Sequence, residues 1–121
     1  YGVYPDGLVY INADNHNDIQ TSKRLWCLGN FSKFIREGAV RIACSSGVDG
    51  VESCAFINPD DTTTVVYVNT TIRDAVTKLS ADKDYSVYTT SEKYDLENTA
   101  NGKAGDADIQ IPAMSVVTVK F

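Results

Sequence analysis

A change of hydrophobic period at Gly38 constrains this chain more than any other feature. From Ser22 to Arg36 the spacing is helical: at about 100° per residue Leu28, Phe31 and Ile35 form one stripe, with Leu25 and Phe34 at its flanks. Thr21 or Ser22 is the candidate N-cap, and Gly38 follows the last turn. Beyond Gly38 the period falls to two. Strands are expected near residues 39 to 45, 53 to 58, 64 to 69, 85 to 90 and 114 to 121, with weaker candidates near 72 to 79 and 108 to 111. Asn58-Pro59-Asp60-Asp61 is a turn signal, and Asn98 to Asp108, with Gly102 and Gly105, reads as a loop. Short strands with such punctuation predict a mainly β fold, an antiparallel β-sandwich with one N-terminal helix. Ahead of the helix, Gly7 to Ala13 reads as a short apolar strand and Asp14 to Ile19 as a polar loop.

The 121 residues suffice for one domain with a modest core. A net charge of −5 repels phosphate backbones and anionic membranes, so nucleic acid is excluded as a partner; neutral sugars are neither penalised nor selected. No apolar run approaches the roughly 18 residues of a membrane span, and no membrane partner is expected. Tyr1, with no charged-then-apolar leader after it, reads as the start of a processed or excised chain.

Three cysteines and the single His16 are too few for a structural zinc, so no metal or cofactor is expected. Val40, Ile42 and Cys44 share one strand face, and Cys54 and Phe56 share another. A hairpin centred on Asp49 sets Cys44 opposite Cys54, a plausible disulfide in an oxidising compartment, the alternative being two buried thiols. Cys27 is left over, buried and free. Trp26 projects from nearly the opposite side of the helix to the apolar stripe, so the helix has two apolar neighbours or Trp26 is an exposed platform.

Leu28-Gly29-Asn30-Phe31-Ser32-Lys33-Phe34-Ile35-Arg36-Glu37-Gly38-Ala39-Val40-Arg41-Ile42 resembles the junction between the last barrel helix and the side β-domain of family 30 glycoside hydrolases. Ile111-Pro112-Ala113-Met114-Ser115-Val116-Val117-Thr118 resembles the last strand of that side domain. Between them, in order, fall Asn58-Pro59-Asp60, the strand Val65 to Asn69, and Tyr88-Thr89-Thr90-Ser91. The resemblance spans the chain and implies two parts: residues 1–38, a strand and helix like the end of a (β/α)8 barrel, and residues 39–121, the sandwich. One departure is Glu37, where the family usually has Pro.

The resemblance also implies a secreted, retaining hydrolase whose two catalytic glutamates lie at the ends of barrel strands four and seven. Neither position falls in this chain: Glu37, Glu52, Glu92 and Glu97 match neither, so no catalytic residue is expected and the chain alone should not hydrolyse anything. On this mapping Gly7 to Ala13 is the eighth barrel strand. His16 or Asn15, in the loop Asp14-Asn15-His16-Asn17-Asp18, would then reach substrate; a metal site at Asp14, His16 and Asp18 is the minor alternative.

A carbohydrate-binding module needs exposed aromatic rings on which sugar C–H faces stack. With Val66 and Val68 inward, Tyr67 points outward, and with Val87 inward, Tyr88 does too; Tyr67, Tyr88, Tyr94 and Trp26 are the candidate platform. The plain alternative is that these tyrosines are half-buried strand residues. Asn30-Phe31-Ser32 and Asn69-Thr70-Thr71 match glycosylation acceptors. Two functions remain: a carbohydrate-binding module for plant cell-wall β-glycans such as xylan, or a structural side domain that buttresses the catalytic barrel through Leu28, Phe31 and Trp26.

Overall fold

The computed structural model describes residues 6–121; the first five residues of the 1–38 segment lie outside the described residues. In chain order the elements are β1 (Val9–Ile11), β2 (Ile19–Thr21), α1 (Lys23–Ser32), β3 (Val40–Ile42), β4 (Val51–Ile57), β5 (Thr63–Asn69), β6 (Ala75–Ala81), β7 (Tyr85–Thr90), β8 (Glu97–Gly102), β9 (Gly105–Ile111) and β10 (Ser115–Lys120). β1 and β2 pair as a small hairpin. Six strands form one antiparallel sheet in the order β3-β4-β5-β10-β7-β8, and β6 and β9 pair antiparallel as a second sheet. The mainly β, antiparallel sandwich expected from the sequence is the fold that forms.

The large sheet is covered on both faces. On one face Val65, Tyr67, Val87, Val117 and Val119 pack against Ile109 and Ile111 of β9, the main core; each such buried side chain contributes about 1.5–3 kcal/mol. On the other face lies α1. Central strands β5 and β10, covered on both sides, therefore read as the continuous runs Val65-Val66-Tyr67-Val68 and Val116-Val117-Thr118-Val119 rather than as alternation.

The second sheet has only two strands, so it leaves both flanks of the large sheet uncovered. On the β4 flank the loop before β4 fills the space: Val48 packs on the core, and Thr77 Oγ1 of β6 donates to the Ser46 carbonyl at 2.6 Å. The β7–β8 flank stays open.

Some sequence expectations are corrected. The helix ends at Ser32, and two turns follow; in the second, Ala39 N–H donates to the Arg36 carbonyl at 3.0 Å with Gly38 at φ +85°. A positive φ at the third turn position is what glycine supplies, and the second position, held by Glu37, accepts either Pro or Glu. The expected loop Asn98 to Asp108 is instead β8, a tight turn and β9. Asn98, Asn101 and Gly102 have poor strand propensity, and it is pairing with β7 that extends them.

Candidate functional site

Helix α1 is seated on the sheet by a polar face. Asn30 is fully buried; its amide nitrogen donates to Thr90 Oγ1 (2.7 Å) and the Trp26 carbonyl (3.0 Å), while its Oδ1 accepts from Thr118 Oγ1 (2.9 Å). Just past the helix, Asn58 donates to the Phe34 carbonyl (2.8 Å) and accepts the Arg36 N–H (2.9 Å). Buried amides are costly without such partners, and here every hydrogen bond is directional, which fixes how α1 sits.

Spacing then decides what faces outward. Asn30, with Trp26 and Cys27 within about 60° of it on the helical wheel, addresses the sheet, and Phe34, buried just past the helix, packs on Tyr88. Leu25 and Leu28 lie about 140–160° away. Leu28 is 49% exposed. The β1–β2 hairpin continues this character. Val9, Ile11 and Ile19 share one hairpin face by register and all are exposed, and Ser22 N–H, donating to the Leu8 carbonyl at 3.0 Å, ties the hairpin to the helix start. A two-stranded hairpin with an uncovered apolar face is not stable by itself in water.

The proposed aromatic platform does not assemble. Tyr67, expected to point outward, is 1% exposed in the main core; Val66, taken as inward, faces the helix side instead. Both β5 faces are covered, so the alternation argument had no solvent side to find. Burial pushes the Tyr67 hydroxyl up to about 12, with a smaller contribution from Cys44. Tyr88 does leave the core face, but its ring packs on Phe34 at 4.6 Å between centroids, with Lys33 Nζ 5.5 Å from its centre. Trp26 is half-buried on the sheet side of α1. Tyr67, Tyr88 and Trp26 thus share no exposed surface.

Tyr94 occupies a different setting. It lines an open groove of about 260 Å³ on the uncovered β7–β8 flank, together with Tyr85, Val87, Thr99, Ile109 and Gln110. Tyr85 was missed because it shares parity with Val87, which reads as inward; the inward face is open here because the second sheet stops at β9. A wider hollow of about 480 Å³, along Lys78, Leu79, Ser80, Asp106, Ala107 and Asp108, holds no aromatic ring.

The cysteine expectation is corrected. The β3–β4 register pairs Ile42 with Ala55, not Phe56, so continuing it sets Cys44 across from Ser53, and Cys44 and Cys54 are free thiols. That one-residue slip turns the two sulfurs to opposite faces. Burial raises the Cys54 thiol, Arg41 partly offsets this, and Cys44 adds a smaller upward push. Cys27 is free and half-buried, raised chiefly by burial. Both glycosylation motifs fail sterically, since Asn30 and Asn69 are buried. Asn69 donates to the Arg73, Ile111 and Pro112 carbonyls.

The loop Asp14 to Asp18 is held by its own polar groups. Asn12 Nδ2 donates to Asp18 Oδ2 (3.1 Å), and Asn12 and Asn15 side chains accept the Asp14 and Asn17 N–H groups. Among the described residues no group of three or more His, Cys, Asp or Glu could hold a metal. Asp14 and His16 are exposed at the loop tip.

The glycosyl hydrolase family 30 β-sandwich domain matches residues 38–119. A family 30 endoxylanase from Clostridium papyrosolvens C71 superposes with a TM-score of 0.74 at 28% identity, over 83% of this chain and 28% of that one. The catalytic domain of a family 30 xylanase from Talaromyces cellulolyticus gives 0.73 at 30% identity, over 94% and 27%. A family 30 subfamily 8 xylanase from Clostridium acetobutylicum gives 0.79 at 21% identity, over 98% and 31%. The chain therefore spans less than a third of the length of these proteins.

Proposed function

Since the chain belongs to the glycosyl hydrolase family 30 β-sandwich domains, we propose that it is the non-catalytic side domain of a β-glycan hydrolase, seated on the catalytic barrel by the outer face of α1 and the β1–β2 hairpin. The observation that carries this reading is the orientation of α1: its buried residue toward the sandwich is Asn30, while Leu28, on the far side of the helix, is 49% exposed and stands with the exposed hairpin residues Val9, Ile11 and Ile19. Apolar side chains reward burial and amides do not, so a second apolar layer is called for on the outer side. The barrel end is the occupant proposed, residues 6–38 supplying its last strand and helix and residues 39–121 the side domain.

On this reading the hydrolytic carboxylates belong to the barrel, and the substrate class is a plant cell-wall β-glycan such as xylan, supported by the xylanase neighbours at 28% and 30% identity. A polymer of that size is met outside the cell, which makes the parent enzyme a secreted one.

One substitution in two contexts tests the docking. Leu28→Glu should lower the melting temperature of the parent enzyme by several degrees and leave that of the 121-residue chain unchanged, because only the parent buries the site. An equal effect in both, or none in either, would remove the docking face. A second reading, that the domain itself holds polysaccharide, is favoured by one observation: Tyr85, half-buried at the edge of the core, and Tyr94 both border an open groove.

A further inference from the structure

We infer that the groove between β7–β8 and β9 binds a neutral, unbranched β-linked sugar chain, with the Tyr85 ring as its stacking floor and Gln110 as its polar wall; this rests on the second reading above. Three features show a built site.

The first is Gly102. A Cβ there would lie 2.2 Å from Tyr85 Cζ and 2.3 Å from its hydroxyl oxygen, so the outer end of the Tyr85 ring occupies the space over Gly102 and a larger residue would displace it. No positive φ is involved; the requirement is space alone. Tyr85 is half-buried: it packs against the edge of the main core and also borders the groove, and it is that bordering part of the ring that sugar C–H groups would meet.

The second is a bulge. Val87 pairs with Ala100 but Tyr88 with Asn98, which leaves Thr99 as the extra residue of β8. Its hydroxyl meets Thr89 Oγ1 at 2.9 Å, and both residues line the groove. Beside the bulge, Asn98 Nδ2 donates to the Val87 and Ala100 carbonyls, and Asn101 Nδ2 donates to Asn98 Oδ1.

The third is charge. Among the groove's lining residues the only ionised side chain is Asp108, whose cation partner Lys78 stands 3.4 Å away on β6; no Lys or Arg lines the groove. Lys93, 5.3 Å from the Tyr94 ring centre, is engaged with that ring. A carboxylate in the wall and no cation facing it disfavours a uronic acid branch and leaves a neutral chain acceptable. The turn that joins β8 to β9 is pinned at one end of the groove, where Asp84 accepts from Lys103 Nζ and from the Ala104 N–H, both at 3.0 Å.

The experiment is amide-resolved NMR of the 121-residue chain titrated with xylohexaose, with cellohexaose, and with a glucuronic-acid-substituted xylooligosaccharide. Shifts should cluster at Tyr85, Thr99, Gly102 and Gln110, with the acidic oligosaccharide weaker than xylohexaose. Tyr85→Ala and Gly102→Val should each weaken binding roughly tenfold or more, while Tyr85→Phe stays within about threefold because stacking is retained. Gln110→Ala, at an exposed site that the fold does not need, should weaken binding with no change in melting temperature. Binding that these variants leave intact, with shifts on α1 instead, would overturn the groove and spare the polysaccharide reading. No binding of any oligosaccharide would overturn both and leave the docking proposal standing.

Discussion

The sandwich and the segment ahead of it are built on opposite plans. In residues 39–121 Tyr67, Val117 and Ile111 join a closed apolar core, Lys78, Lys103 and Asp106 stand in solvent, and the exposed apolar side chains, Val40, Ile42, Ile57, Ile72, Val76 and Met114, are spread over several strands and turns. In residues 6–38 only Asn30 and Phe34 are buried, while Leu8, Val9, Ile11, Ile19 and Leu28 are exposed. The first plan closes on itself. The second closes only when another apolar surface covers it, and its polar anchors fix the orientation in which that surface is offered.

Each prediction probes one side of that contrast. Tyr67→Ala empties the centre of the main core and should cost about 3–5 kcal/mol, read as a shift in the urea midpoint; a loss under about 1 kcal/mol would mean the sandwich is not the stable half. The same residue sets an alkaline limit. Its hydroxyl ionises near 10 when unfolded and at about 12 when folded, so the neutral form is favoured by the fold. The contribution is complete below pH 10 and is lost as pH rises from 10 to 12, worth about 2–3 kcal/mol. Comparing Tyr67→Phe with the wild type across that window should show the fall in the wild type alone.

Asn30→Ala breaks the seat of α1, leaving Thr118 and Thr90 without their amide partner, and should cost about 1–3 kcal/mol. Amide exchange should show the loss first in α1. Leu28→Gln, on the outer side, should change the stability of the chain by no more than about 0.5 kcal/mol while reducing binding of a dye that reports exposed apolar surface. If Leu28→Gln destabilises the chain as much as Asn30→Ala, the two plans are not distinct.

Much of this was legible in the sequence, and the reasons for the misses are physical. The period change at Gly38 separated helix from strands, and β5, β7 and β10 lie within a residue or so of where alternation placed them. Alternation assumes one wet face, which β5 does not have, so Tyr67 was assigned to the wrong side. Register was readable only to within one residue, and for Cys44 and Cys54 one residue is the whole question. β8 was invisible because Glu97-Asn98-Thr99-Ala100-Asn101-Gly102 carries no strand signal of its own; it is β7 that holds it. The groove depends on where the second sheet stops, and no local pattern encodes that. The outward stripe of α1, by contrast, stood in the sequence as a helix with two apolar demands; what could not be read was that Asn30, and not Leu28, would meet the sheet.

The docking claim meets its most direct test in hydrogen exchange of β1, β2 and α1, measured in the 121-residue chain and in the parent enzyme under one condition. The account predicts hairpin amides that exchange near the unprotected rate in the chain and roughly a hundredfold or more slower in the parent, with β5 and β10 protected alike in both. Equal exchange of the hairpin and α1 in the two proteins would mean that nothing covers the outward face, and the side-domain docking proposed here would be wrong.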